Sequence, residues 1–542
     1  MNINYMEKLI EYIENLTRNQ IMFFILLLVL VCYVNSLGVF FIWDDYALIV
    51  NNFQVQSFNI IDVFKISPIP PQNDQTNLIV YYRPIQLVSY IFDFLIWKSN
   101  AFGYHLMNIL LHFVNCLLIF AFIKTLTHKR FISFLCSAIF AVNPIFTLSV
   151  TYISGRADVL ALLFTLVMIL FFIRAFEKAK PNLGYYILSV LSFMLAIFSK
   201  EIGLFAFLFL ILIGINSNIK LVSFKKRFFA AYLIPAAIYF LSRPRFPIQK
   251  TEMFLPGSFN YVFDVLTIIK GNLVYLFKAI VPLDTRMQFT THIINAFGWP
   301  ALVILLLFIF FLTICIVLAK RLNKTFLYGI FWFYAPLLIL IFMNIFYAKR
   351  GQEILLPLHN LYFSYPGLLV AFVALFKNKS YNINKLISVV LCLVIVFYAI
   401  ITVIDNDLWH DEIAFFKRIV NFNKDSQFNN IPYANLAFSY ERAKEYKLAE
   451  DYFSKAIELS NNKPISYNTL ASYYLRRKDF DKAIKSLEDS LKFDRNFFQT
   501  YLMLGIVYLK KGDKGKAREN FKIALTIQPN DQLSKTYLKS IK

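Results

Sequence analysis

The stretch IMFFILLLVLVCYVNSLGVFFIWDD, residues 21–45, begins with a long apolar run and ends with two adjacent aspartates. The run has the length of a bilayer-spanning helix, and Trp43 falls at its edge, where an interfacial aromatic residue is expected. Neighbouring carboxylates repel each other and are costly to desolvate near lipid. A carboxylate held at a membrane surface can take a proton from a hydroxyl that must become a nucleophile. The stretch therefore predicts a membrane anchor followed by a candidate catalytic pair, Asp44 and Asp45.

Composition extends the membrane prediction to most of the chain. Of its 542 residues, 58% are hydrophobic and 16% are charged, and the mean hydropathy is +0.57, which is typical of polytopic membrane proteins. The net charge of +22 arises from short basic blocks between apolar runs, so it indicates topology and not a nucleic-acid partner. The five cysteines lie inside predicted spans, so we expect neither a disulfide framework nor a zinc site. The first run lacks a small-residue cleavage site and is expected to stay as an anchor.

The apolar runs predict about eleven membrane spans, and basic loops orient them. These runs are 21–41, 105–125, 131–148, 157–176, 184–199, 202–217, 226–242, 299–320, 325–346, 359–376 and 383–404. If all basic clusters are cytoplasmic, residues 1–19 lie inside and the aspartate pair lies on the outer face of the cell (inner) membrane. Segment 261–282 contains three charged residues, and one mid-membrane charge costs about 3 kcal/mol, so this segment is predicted to be interfacial or re-entrant.

The C-terminal part repeats every 34 residues. Tyr433, Leu436 and Ala437 recur at equivalent positions in two further copies, as Tyr467, Leu470, Ala471, Tyr501, Leu504 and Gly505. This period is the tetratricopeptide signature, and the stacked helices present a groove that usually binds a peptide or protein. A role in capping or rigidifying the rest of the chain is the alternative. We thus predict an all-α protein in which a membrane bundle (20–404) is joined by a helical half-repeat (405–431) to a soluble α-solenoid of three repeats (432–542).

Ionisable residues gather on the predicted outer face. The loop after Asp45 is expected to contain an interfacial helix, with Arg83, Asp93 and His105 available near the surface. Further outer residues are Arg156, Asp158, Lys200, Glu201, Arg243, Arg350 and Glu353. Positive charge on this face runs against the positive-inside bias, which favours an anionic ligand.

Several motifs in order carry a family resemblance. The chain has WDD at 43–45, YRP at 82–84, GYHLMNILLH at 103–112, AVNP at 141–144, SGRAD at 154–158 and SKE at 199–201, followed by the repeats. This order resembles the transmembrane O-mannosyltransferases that carry tetratricopeptide repeats, the TMTC family, with their bacterial relatives, and more distantly other GT-C glycosyltransferases. The family usually has a Glu-Arg pair where this chain has Leu358 and His359.

The resemblance implies transfer of a mannose-like or other hexose from a polyprenyl-phosphate donor to a hydroxyl, with inversion. The expected acceptor is Ser or Thr of a protein, with a glycan as the alternative. A phosphate leaving group needs stabilising cations and no general acid, so one carboxylate base suffices. Asp44 is the first choice for that base, supported by Asp45. The cations predicted for the donor phosphate are Arg156, Lys200, Arg243 and Arg350; Asp158 and Glu201 are predicted to position them or contact the sugar, and Arg83 and His105 to support the acceptor.

Alternatives remain open for these residues and for the function. The aspartate pair also suits a helix cap or a divalent metal, and Lys200 with Glu201 suits a local ion pair. His105 on an apolar span also fits a packed histidine. The alternative functions are a non-catalytic membrane scaffold that recruits partners through its repeats and an O-antigen-ligase-like enzyme. A transporter fits less well, because the ionisable residues gather at the surface and not at mid-membrane.

Overall fold

The protein is built almost wholly from helices, because long apolar runs must satisfy their backbone hydrogen bonds within each segment. The computed structural model describes residues 11–541 except 59, 65–81, 215–224, 244–260, 288, 322–323, 348–352, 376–380, 423, 425, 461–462 and 530. Within these described residues the only sheet is an antiparallel pair, β1 (Thr290–His292) and β2 (Glu353–Leu355), in which Thr291 lies opposite Ile354. The predicted all-α fold class is confirmed.

The chain divides into two compact units. The first comprises Met1–Asp45, Gln54–Ile66 and Tyr82–His410, and the second comprises Tyr46–Phe53, Ser67–Tyr81 and Asp411–Lys542. The division near residue 410 falls inside the segment 405–431 that was predicted to connect the two domains.

The first unit contains the membrane helices. Their bounds are α1 Arg18–Tyr33, α2 Ile60–Phe64, α3 Pro84–Trp97, α4 Ala101–Thr127, α5 Arg130–Ala141, α6 Thr147–Val150, α7 Arg156–Phe176, α8 Leu183–Ser199, α9 Phe205–Gly214, α10 Leu233–Ser242, α11 Tyr261–Ile280, α12 Trp299–Arg321, α13 Lys324–Tyr347, α14 Leu361–Ala374 and α15 Tyr381–Asp407. Side-chain caps begin several of them: Thr17 and Gln20 form a capping box before α1, and Asn100 caps α4.

Fewer helices than predicted are long enough to cross a bilayer. Among the described residues six qualify by length and composition, and a bent pair, Arg130–Ala141 with Pro144–Val150, makes a seventh if it is one span. Four of the eleven predicted spans instead form helices of 10–17 residues: Leu183–Ser199, Glu201–Ile213, Phe228–Ser242 and Leu358–Ala374. At 1.5 Å per residue these fall short of a hydrocarbon core of about 30 Å. By length and composition, the described residues therefore contain six or seven candidate spans, against about eleven predicted from the sequence.

Two glycines bring a pair of helices into backbone contact. A Cβ on Gly329 of α13 would lie 2.3 Å from the backbone nitrogen of Ala371, and one on Gly367 of α14 would lie 2.5 Å from that of Phe333. Small residues of this kind let membrane helices approach closely and gain dispersion contacts. The pair fixes α14, whose N-terminal turn reaches the candidate site described below.

The second unit is a stack of helix pairs. Its helices are α16 Glu412–Phe422, α17 Asn430–Arg442, α18 Tyr446–Leu459, α19 Pro464–Arg476, α20 Phe480–Phe493, α21 Phe498–Lys511, α22 Lys514–Ile527 and α23 Gln532–Ser540. Ala471, Ala483 and Leu487 lie in one buried cluster of the stack, as the repeat pattern predicts. Gly505 packs so tightly on Phe521 that an added Cβ would lie 2.5 Å from its ring.

Candidate functional site

A sharp turn precedes the two aspartates. Trp43 has a φ of +55°, in the left-handed region that bulky residues rarely adopt. Such a conformation costs about 1–3 kcal/mol and persists only where the surroundings impose it. The strain lies directly before Asp44 and Asp45.

Asp45 is a fully buried carboxylate with its acceptor positions occupied. One oxygen accepts hydrogen bonds from the backbone N–H of Ser154 (2.9 Å) and from the Ser154 hydroxyl, and the other accepts from the N–H of Ile42 (3.0 Å). Burial raises the pKa of Asp45 to about 7; these hydrogen bonds oppose the rise, and the charge of Asp44 adds to it. The arrangement ties the aspartate turn to a loop more than a hundred residues away in sequence.

Asp44 is half-buried and lies in different surroundings. Its backbone N–H donates to the Tyr152 hydroxyl at 3.3 Å. Burial raises the pKa of Asp44, whereas a hydrogen bond from Tyr152 and the positive charge of Arg83 lower it. Asp44 is therefore the carboxylate of the pair that retains some exposure and is influenced by the positive charge of Arg83.

Gly155 shapes the loop that meets these aspartates. A Cβ at this position would lie 2.6 Å from the Cα of Ser149 and 2.8 Å from the carbonyl oxygen of Leu148, so only glycine fits. The tight turn brings Tyr152 to Asp44 and Ser154 to Asp45.

Arg156, the first residue of α7, is completely buried, and its guanidinium donates hydrogen bonds to groups inside the protein. Its guanidinium pairs with Asp93 at 2.5 Å and donates to the Asn108 side chain at 2.6 Å. It also donates to the carbonyl of Tyr104 (2.9 Å) and to Ser89, and it lies 4.7 Å from the centroid of the Tyr90 ring. Asp93 was expected near the surface, but only 1% of it is exposed; that expectation was wrong because its carboxylate neutralises Arg156.

A second buried pair joins Lys200 to Asp158. The ammonium group lies 2.7 and 2.8 Å from the two carboxylate oxygens and 3.1 Å from the side-chain oxygen of Asn360. All three residues are at least 95% buried. Lys200 has an extended backbone between α8 and the turn Glu201–Leu204, and its ammonium group meets Asp158 in the first turn of α7.

A third pair, Arg83 with Glu201, lies nearer the surface. The guanidinium donates through Nε at 3.1 Å and through a terminal nitrogen at 2.6 Å to the two oxygens of Glu201, in the fork geometry of a bidentate pair. The side chains are 14% and 42% exposed, respectively. The sequence predicted an ion pair at Glu201, but with its neighbour Lys200 and not with Arg83.

The remaining predicted residues occupy varied positions. His105 is buried and its ring bonds the carbonyl oxygen of Val39 at 3.1 Å, so it is a packed histidine inside the bundle. Arg243 is exposed at the end of α10, and its charge acts on Tyr239 together with the charges of Glu201 and Arg83. Arg350 lies outside the described residues, and Glu353 is buried in β2 opposite His292.

Three residues of the site were not predicted from the sequence: Tyr152, Ser154 and Asn360. Tyr152 and Ser154 lie in a segment that was noted only for its charged residues, and Asn360 follows directly after the Leu358–His359 departure from the family pattern. Only their positions beside the predicted site residues could have indicated them, because uncharged hydroxyl and amide groups near an apolar run are common in packed membrane helices.

The described residues contain no group of three or more His, Cys, Asp or Glu side chains placed to hold a metal ion. At the aspartate pair, both oxygens of Asp45 already accept hydrogen bonds, so Asp44 is the carboxylate available to a ligand.

Comparison with known proteins found two kinds of similarity, to tetratricopeptide repeats and to protein O-mannosyl-transferases. Tetratricopeptide repeat models match residues 429–496 and 498–531. The chain is 30% identical over 176 residues to the protein O-mannosyl-transferase F38B6.6 of Caenorhabditis elegans, covering 32% of this chain and 24% of that protein. It is 32% identical over 150 residues to human protein O-mannosyl-transferase TMTC1, a match that covers 27% of this chain and 17% of that protein. It is 39% identical over 93 residues to human protein O-mannosyl-transferase TMTC2, covering 17% of this chain and 11% of that protein. The predicted resemblance to the TMTC family and the predicted repeats are confirmed, and the matches span a quarter or less of those relatives.

Proposed function

We propose that this chain is an integral-membrane glycosyltransferase of the GT-C type. It moves a hexose such as mannose from a polyprenyl-phosphate donor to a hydroxyl, on a protein Ser or Thr, at the extracytoplasmic face. The relatives named as protein O-mannosyl-transferases support the reaction class, and the six apolar helices support a donor that lies in the bilayer. The basic loops support an N-terminus on the cytoplasmic side and repeats on the outer side of the membrane. A peptide or protein bound at the repeat groove would then lie on the same side as the aspartate pair and could serve as the acceptor.

The observation that carries the proposal is the contrast within the aspartate pair. Asp45 accepts hydrogen bonds from Ile42 and Ser154, whereas Asp44 is half-buried and is influenced by the charge of Arg83. Asp44 is accordingly the base: its carboxylate takes the proton of the acceptor hydroxyl while the oxygen attacks the anomeric carbon. The bond from that carbon to the phosphate oxygen breaks on the opposite face, and the electron pair leaves with the phosphate.

The buried cations then act in positioning. Arg156 at the start of α7 holds α3 through Asp93 and α4 through Asn108, and Lys200 joins the start of α7 to the turn that carries Asn360. Neither ammonium nor guanidinium group is exposed enough to meet a phosphate without losing its internal partners.

The test is transfer of labelled mannose from polyprenyl-phosphate mannose to a Ser/Thr-containing peptide by the purified full-length protein. Asp44→Asn is expected to lower the rate by about a hundredfold or more, since a positioned general base contributes 10²–10⁴-fold. Asp45→Asn serves as the matched control, because it changes the neighbouring carboxylate and is expected to lower the rate less. Unchanged transfer by Asp44→Asn would remove the proposed base.

The scaffold alternative makes a different prediction. If the repeats alone carry the function, binding of partners to the full chain is the same with Asp44→Asn and no sugar is transferred by the wild type from any labelled polyprenyl-phosphate hexose. A reporter fused to the C-terminus tests the orientation; cytoplasmic repeats would contradict the proposed outer face.

A further inference from the structure

The three cations around the aspartates differ in how easily they can exchange partners. Arg156 and Asp93 have side chains that are 0% and 1% exposed, and Lys200 and Asp158 are 6% and 2% exposed. For Arg83 and Glu201 the values are 14% and 42%. Removing a carboxylate from a buried cation leaves an uncompensated charge, whereas a carboxylate at the surface regains water when it leaves.

From this contrast we propose that Arg83 receives the phosphate of the lipid-linked donor, and that the Glu201 carboxylate occupies the same position until the donor arrives. The inference rests on the proposed function and deepens it. It moves Arg83 from the predicted support of the acceptor to the donor, and it gives Glu201 the role of an internal substitute for the phosphate.

The geometry of the pair suits an exchange. Glu201 presents two oxygens to Nε and a terminal nitrogen of Arg83, at 3.1 and 2.6 Å. A phosphate presents two oxygens at the same spacing, and a guanidinium binds either group through parallel hydrogen bonds. The anion can therefore take over both hydrogen bonds without a new arrangement of Arg83.

The position of Arg83 also suits a donor phosphate. Its charge acts on Asp44, the proposed base, and on Lys200 and Asp158. A phosphate on Arg83 would thus lie in the same charged cluster as the base. The reaction requires this, because the acceptor oxygen attacks the same anomeric carbon that the phosphate leaves. Once released, Glu201 keeps a favourable neighbour, because the charge of Lys200 also acts on it.

Donor kinetics test the exchange. In the full-length enzyme, Glu201→Gln removes the competing charge and keeps the side-chain shape, so the donor KM is expected to fall about threefold to tenfold. Arg83→Lys keeps the charge but loses the fork, so the donor KM is expected to rise tenfold or more. A donor KM that rises in Glu201→Gln overturns the substitute role.

A matched pair in the second unit provides the control. Arg476 donates to Glu441 through Nε at 3.1 Å and a terminal nitrogen at 2.8 Å, which is the same fork geometry. Glu441→Gln is expected to leave the donor KM unchanged. A fall in donor KM equal to that of Glu201→Gln would show a general charge effect and overturn the assignment to Arg83.

A binding measurement separates this inference from the proposed reaction. Farnesyl phosphate, with farnesol as the phosphate-free control, is titrated into the purified wild type and Glu201→Gln proteins and followed by thermal shift. Tighter binding of farnesyl phosphate but not of farnesol by Glu201→Gln supports the exchange, even if the wild type transfers no sugar and the reaction is wrong. Equal farnesyl phosphate affinity in both proteins overturns the inference while leaving transfer intact. Inorganic phosphate that binds as tightly as farnesyl phosphate overturns the assignment to a lipid-linked donor.

Discussion

Two arginines of the first unit, Arg156 and Arg83, each face a carboxylate, but at different depths. Arg156 and its partner Asp93 are fully enclosed, and the guanidinium also binds Asn108 and Tyr104. Arg83 meets Glu201, whose side chain is 42% exposed. The comparison teaches that two arginines from family motifs can differ in role: Arg156 holds helices together in the interior, whereas Arg83 has a partner exposed enough for the exchange proposed above. The two roles are distinguished by how deeply the guanidinium is buried and by how many partners it binds. The residue type, arginine in both cases, does not distinguish them.

The largest expected effect is on the buried pair. Asp93→Ala leaves the Arg156 charge uncompensated, so the free energy of unfolding should fall by about 3–5 kcal/mol. Thermal and denaturant unfolding of the detergent-purified protein measures it. The double variant Arg156→Met with Asp93→Leu should recover most of the loss, since it removes both charges together. An Asp93→Ala protein as stable as the wild type would break the comparison.

The two aspartates differ in depth as the two arginines do. The buried one, Asp45, is expected to make the free energy of unfolding depend on pH, with an effect of intermediate size. The folded-state pKa of Asp45, about 7, lies above its usual value of 3.8, so its contribution to stability is complete below about pH 4 and is lost as the pH rises through 7. Between pH 5 and pH 8 the loss should be roughly 2–3 kcal/mol. Unfolding midpoints across this range should fall more steeply for the wild type than for Asp45→Asn; parallel curves would contradict the buried assignment.

A smaller effect is expected at Arg83. Arg83→Gln should raise the donor KM by tenfold or more, which corresponds to about 1.4 kcal/mol of binding free energy. The measurement is the rate of sugar transfer against donor concentration, with the unfolding midpoint as the control for folding. A large loss of stability with an unchanged donor KM would place Arg83 in the same class as Arg156.

The smallest effect is the stability change at Glu201. Because this carboxylate is partly exposed, Glu201→Ala should change the free energy of unfolding by less than about 1 kcal/mol. Compared directly with Asp93→Ala under the same conditions, it sharpens the contrast between the two pairs. Equal losses in the two variants would show that exposure does not separate them.

The sequence predicted the parts of this protein that depend on spacing along the chain. The 34-residue period identified the repeats, and the long apolar runs identified the membrane helices. It also nominated Asp44, Lys200 and Glu201, since the alternation of basic loops predicts that these charges lie on one membrane face.

The sequence could not predict depth or partners across distant segments. Arg156 and Asp93 are separated by 63 positions, and no local pattern indicates that each neutralises the other in the interior. Asn360 reaches Lys200 across 160 positions through one amide oxygen. The number of spans depends on helix length as well as on apolar composition: the run 184–199 is apolar, but its helix, Leu183–Ser199, has 17 residues and is shorter than the described helices that qualify as spans.

The backbone contact between Gly329 and Gly367 has a mechanical consequence for the site. With no side chain between them, the backbones of α13 and α14 pack directly on each other, so we expect a displacement of one helix to carry the other with it. The side-chain oxygen of Asn360, seven residues before Gly367, accepts a hydrogen bond from the ammonium group of Lys200 and so connects this contact to the charged cluster. We therefore expect a methyl group added at either glycine to separate the two helices and to move Asn360 relative to Lys200.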